Sequence, residues 1–175
     1  MTTIPRPAAD EFDAYFAGYV ARSSPDVLAQ LERQAAALES LLALPDAESA
    51  APMGPGEWSL RELLVHLCDF ERVFAYRALR FSRGDAAPIE AFEQDPYVAA
   101  SEANTRPLRD LVEEFRCLRR ATVLLFAAMT PTMLERRGVA GGAPVSVRAL
   151  AHITAGHCAG HFDDIARAFP RFAPG

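Results

Sequence analysis

His157 and His161 stand four residues apart in GHCAGHFDDI, near the end of a 175-residue chain. On a helix, residues four apart lie about 40° from each other around the axis, so the two imidazoles share one face. That spacing is one by which a helix grips a metal ion. It also arises by chance, from histidines that face solvent or are satisfied in a core. The pair alone leaves both accounts open, and a further donor from elsewhere in the chain is what would separate them.

Two other histidines are available, His66 and His152. His152 falls roughly 140° from His157 on the same wheel, which makes it a surface or interhelical contact rather than a ligand. His66 lies in ELLVHLCDF, among Leu63, Leu64 and Leu67 on a separate helical segment. A lone histidine there would read as a satisfied core residue; opposite a matched pair, it becomes a third donor. Three imidazoles leave one position for water or substrate, the layout of a catalytic rather than a structural metal site. Asp164, Asp163 and Asp69 are nearby in sequence. Each is a fourth ligand, a general base or a solvated charge on a helix face. Glu62 can orient His66 or complete a helix cap, and the cap takes precedence. Cys68 and Cys158 adjoin the candidate ligands but point to other helix faces, as small core residues.

Four helical segments must position these groups. SSPDVLAQLERQAAALESLLALP opens with Ser24 as N-cap and Pro25 at the first helical position, and Pro45 stops it. Phe12, Tyr15, Phe16 and Tyr19 precede it as an aromatic lead-in. WSLRELLVHLCDFERVFAYRALRFSRGD begins with a capping box, Ser59 and Glu62, with Trp58 placed to staple against Leu63 and Gly84 closing the helix. DAAPIEAFEQDPYVAASEANTR keeps no period and reads as a long crossover. PLRDLVEEFRCLRRATVLLFAAMT carries one apolar stripe up to Pro131. The glycine-rich RRGVAGGAPVS lacks a phosphate-cradling motif and reads as a loop. Ser146 then caps VRALAHITAGHCAGHFDDIARAF. Without repeats or strand alternation, the expectation is an all-α, four-helix bundle with a long crossover connection, a single domain over 1–175.

Composition narrows the partners. With a net charge of -5 the chain has no surplus of cation to neutralise phosphates, which argues against nucleic acid. All 18 basic residues are Arg. The three cysteines are widely spaced, odd in number and form no C-x-x-C, as expected of a reducing cytoplasm. The N-terminus has no basic start followed by an apolar run, and no apolar stretch approaches the ~18 residues that span a bilayer. A soluble, cytoplasmic protein with no membrane partner is the expectation.

With these residues in view, WSLRELLVHLCDFERVFAYRALR resembles the second-helix signature of the DinB/YfiT-like superfamily of metal-binding four-helix bundles. The likeness continues through PIEAFEQDPYVAASEAN, LVEEFRCLRRATVLLF and VSVRALAHITAGHCAGHF, from about Trp58 to Phe169. It implies zinc or nickel held by one histidine of the second helix and two of the fourth, at positions matching His66, His157 and His161. The family's fourth helix commonly reads G-H-E-x-H-H; here Cys158 and Gly160 replace the Glu and the first His of the doublet. The resemblance also implies a small-molecule enzyme, either a hydrolase or a thiol S-transferase using bacillithiol, mycothiol or glutathione. The alternative on the same scaffold is a non-catalytic metal- or ligand-binding stress-response protein. Related bundles often dimerise, which leaves a homodimer open.

Overall fold

In the computed structural model, which describes residues 3–85 and 87–172, caps and breakers cut the chain into long and short helices. They are α1 (Ala17–Arg22), α2 (Val27–Ala37), α3 (Asp46–Ala50), α4 (Leu60–Ser82), α5 (Gln94–Ala100), α6 (Leu108–Ala127), α7 (Pro131–Glu135) and α8 (Val147–Ala168). A hairpin of β1 (Arg137–Ala140) and β2 (Ala143–Ser146) precedes α8. Helices α2, α4, α6 and α8 make the four-helix bundle. Around it α2 packs on α6, α6 on α4, α4 on α8, and α8 on α2. The long α4–α6 connection therefore joins adjacent helices, and the steps from α2 to α4 and from α6 to α8 cross the bundle. None of the described helices is long and apolar enough to cross a membrane.

The expected starts of α4 and α8 are present. The Ser59 hydroxyl accepts from the Glu62 N–H while the Glu62 carboxylate accepts from the Ser59 N–H, so two otherwise unpaired donors are satisfied reciprocally. Gly84, at φ +84°, turns the chain out of α4. Ser146 accepts from the Ala149 N–H at the head of α8. Because the buried Ser59 hydroxyl also donates to the Asn104 side chain, Ser59→Ala should cost about 1–2 kcal/mol. A denaturant melt superimposable on the wild type would show that this cap carries no stability.

Elsewhere local chemistry overrides the sequence expectation. Ser24 does not cap α2: its hydroxyl accepts from the Asp26 N–H in a tight local turn, and Asp26 caps the helix through the Ala29 N–H. After Ala37 the helix tightens into a 3-10 turn, Leu38–Ala43. The presumed loop after Pro45 holds α3, the crossover holds α5, and Pro131 lies in the first turn of α7 rather than at the end of α6. RRGVAGGAPVS is a hairpin, because Gly141 and Gly142 (φ +61° and +80°) supply the left-handed pair that a two-residue turn needs.

A polar layer divides the core in two. One apolar cluster gathers Leu31, Phe70, Phe74, Phe126 and Ile153; the other gathers Leu38, Leu63, Phe115, Cys158 and Ile165. Between them the guanidinium of Arg119 donates to Glu71 at 2.9 Å, to the Gln34 side chain at 2.7 Å and to the Leu31 carbonyl. Gln34 in turn donates to the Ala155 carbonyl of α8. This network ties α2, α4, α6 and α8 at one height.

Candidate metal centre

Helix α4 presents His66, and α8 presents His157 and His161, across the interface between those two helices. His66 Nε2 lies 3.0 Å from His157 Nε2, which lies 3.2 Å from His161 Nε2. Ligand nitrogens of all three rings fall within 4.8 Å of one another. Four nitrogens at about 2.0–2.1 Å from a tetrahedral ion sit roughly 3.3 Å apart, so the donor set fits a small divalent transition metal. The structure thus brings together the three residues that the sequence singles out.

Neighbouring groups fix how the rings face. The Phe70 ring, one turn after His66, stacks on His157 at 3.5 Å and 6° from parallel. Tyr19 meets the edge of the same imidazole at 5.3 Å. Gly156 makes that approach possible, since a Cβ there would sit 1.8 Å from the Tyr19 carbonyl oxygen. Asp164 Oδ2 lies 3.1 Å from His161 Nδ1. Accepting a hydrogen bond from the Nδ1–H, the carboxylate leaves Nε2 as the lone-pair donor toward the other rings. Asp164 is therefore an orienting partner of a ligand candidate. Asp163 pairs with Arg22 and Asp69 with Arg72, while Glu62 is spent in the cap.

His152 is fully buried, where a surface position was one of the two expectations. Its Nδ1 meets the Ser23 hydroxyl at 2.8 Å and its Nε2 the Ile4 carbonyl, so it pins the N-terminal segment along α8. Cys68 and Cys158 are buried core residues. Burial pushes the Cys158 thiol up to about 11, so it stays protonated at neutral pH, and burial raises Cys68 as well.

All three imidazoles are held neutral. Burial, with repulsion from His161, lowers His66 to about 3. His157 is pushed well down by burial and by its His161, His66 and Arg119 neighbours. For His161, burial outweighs the opposing pull of Asp164. A neutral ring is the form that donates to a metal. The same shifts set an acid dependence. With the metal chelated, the unfolded chain takes up protons as the pH falls below 6.5, the ordinary value, while folded His66 takes one up only near 3. Stability should therefore fall through this window, by up to about 1.4 kcal/mol per pH unit for one such histidine. Urea melts of chelated protein between pH 7 and pH 5 would read this slope; equal midpoints would mean that the rings are hydrated.

A cavity of about 400 Å³ opens on His161 and Asp164 and is lined also by Met53, Trp58, Asp95 and Arg167. Trp58 is half-buried with its ring 5.0 Å from that of His66. It shares this cavity with Leu63, so the staple position also walls the site. Tyr19, named only in the aromatic lead-in, and Phe70 and Asp95 have no place in the sequence expectation for the site. Phe70 had a usable signal, its i+4 spacing from His66; Asp95 had none, because the segment around it keeps no period.

The model of the DinB superfamily matches residues 30–165 of this chain. Nothing among curated proteins matches it. Among solved structures, YfiT from Bacillus subtilis, described as a probable metal-dependent hydrolase with an unusual four-helix bundle topology, aligns with a TM-score of 0.73. That alignment covers 83% of each chain at 15% identity, a likeness of fold.

Proposed function

This chain belongs to the DinB superfamily, and we propose that it is a metal-dependent enzyme acting on a small molecule. His66, His157 and His161 would hold one zinc or nickel ion. The observation that carries this reading is the convergence of three neutral imidazole nitrogens beside an open cavity, with no fourth protein ligand closing the set among the described residues. Held there, a divalent ion supplies Lewis acidity, the chemistry that makes a water or a thiol nucleophilic at neutral pH.

The chain's own groups do the rest. Asp164 keeps the His161 proton on Nδ1, and Phe70 stops His157 from rotating. Trp58 and Met53 offer the cavity an apolar wall, while Asp95 and Asp164 bring carboxylates to it as candidate proton acceptors. Hydrolysis fits this lining, and the description of YfiT supports it. Transfer of a low-molecular-weight thiol to an electrophile uses the same open position and is the second arm of the proposal. The three free cysteines suit a reducing cytoplasm.

The test is turnover by zinc- or nickel-loaded protein against a panel of small esters and amides, and against an electrophile with glutathione, mycothiol or bacillithiol. Metal-dependent turnover of either kind, lost on chelation, is the expected result. A loaded protein inert in every assay would instead favour the non-catalytic metal- or ligand-binding stress-response protein. The motif change at Cys158 gives that alternative little support, since the side chain is buried in the core.

A further inference from the structure

A second cavity, of about 340 Å³, shares Phe70 with the wall of the histidine cluster. Its other aromatic walls are Tyr15, Phe16, Phe74 and Phe92. Arg77 lines it too, and is only 6% exposed. Guanidinium cannot shed its proton in a protein, so a buried one needs counter-charge or a full set of acceptors.

The other buried arginines have what they need. Arg61 meets Asp46, Ser49 and the Asn104 carbonyl, and Arg119 meets Glu71, Gln34 and the Leu31 carbonyl. Arg77 has a single 3.4 Å contact to the Glu90 carbonyl and rests its Cζ 5.0 Å from the Phe74 ring. Its Nε is buried with no hydrogen-bond partner, and no ion pair reaches it among the described residues. Asp13, the one carboxylate on the lining, is exposed and accepts from the Tyr15 N–H.

We propose that this cavity binds a small aromatic carboxylate, with Arg77 as the partner of the carboxylate and the aromatic walls around the ring. A carboxylate is the acceptor that a guanidinium fork takes in two parallel, charge-assisted bonds, and it supplies the missing counter-charge. The volume lies at the lower end of the range for small-ligand pockets, which suits one ring and a short acid arm. Flat aromatic walls suit a flat apolar body. This site does not depend on the metal reading, because neither Arg77 nor the cavity requires an ion.

Phenylacetate and phenylacetamide would be titrated by calorimetry into the full chain, chelated and zinc-loaded. The acid should bind roughly tenfold or more tightly than the amide, equally with and without zinc. Arg77→Gln should abolish that preference while leaving the weak amide binding. Should Arg77→Gln fail to fold, as judged by circular dichroism, Ala143→Leu decides instead: it narrows the cavity from β2 and should weaken both ligands. Equal affinity for acid and amide, no binding at all, a preference that survives Arg77→Gln, or affinities left unchanged by Ala143→Leu would overturn the proposal. So would acid binding that requires zinc, which would place the acid at the histidine cluster.

Discussion

Removing the His66 imidazole, by His66→Ala, should lower affinity for zinc or nickel by roughly a hundredfold or more. Loss of a group that merely orients a ligand costs about 10–100-fold, and His66 would be the ligand that α4 contributes opposite the α8 pair. His157→Ala and His161→Ala should do the same. Asp164→Asn should fall between them and wild type, because it keeps the side chain but weakens acceptance from His161 Nδ1. His152→Ala should retain full affinity while losing stability, since its ring ties Ser23 and Ile4 to α8 and touches none of the three. Proton competition should set in only at acid pH, as all three rings are held below the ordinary histidine range. Metal content after dialysis against trace zinc or nickel, with competition titrations, measures each variant. Retention by His66→Ala at the wild-type level would remove the α4 side of the site and the enzyme proposal with it.

The sequence carries this cluster because helical geometry is local. An i, i+4 pair and a capping box are spacings within one turn, so His157 with His161, and Ser59 with Glu62, are visible before any tertiary contact is known. The boundaries of α2 and the hairpin were less legible for opposite reasons. At Ser24 two capping residues compete within three positions, and the backbone decides. At Gly141–Gly142 the turn signal was present, but strands of four residues are too short to show alternation. Two partners of the site fall outside sequence reach. Tyr19 arrives because Gly156 lets α1 lie directly on α8, and Asp95 arrives on α5 from a segment without period. Connectivity was hidden likewise: nothing in the segments tells that the long linker joins neighbours while shorter ones cross the bundle.

The polar layer sets the largest stability effect. Arg119 and Glu71 are 1% and 2% exposed, so neither charge has water to fall back on. Arg119→Met should cost about 3–5 kcal/mol, because it strands the Glu71 carboxylate in the core. Against a typical domain stability of about 5–15 kcal/mol, that is a large share. Adding Glu71→Leu removes the stranded charge and should recover most of the loss, since a buried pair exchanged whole for apolar side chains is often neutral. Recovery should stop short by about 1–3 kcal/mol, because the Gln34 side-chain oxygen loses its donor while its amide still holds the Ala155 carbonyl. Completing the exchange with Gln34→Leu would free that carbonyl, so the triple variant should gain nothing further. The layer also borders the site: the Arg119 charge is the smallest of the influences that lower His157, after burial and the His161 and His66 rings, so Arg119→Met should leave that imidazole neutral. Denaturant melts around the double-mutant cycle isolate the pair. If Arg119→Met alone costs no more than an exposed substitution, about 0.5 kcal/mol, the four helices are not held together at this height by the network.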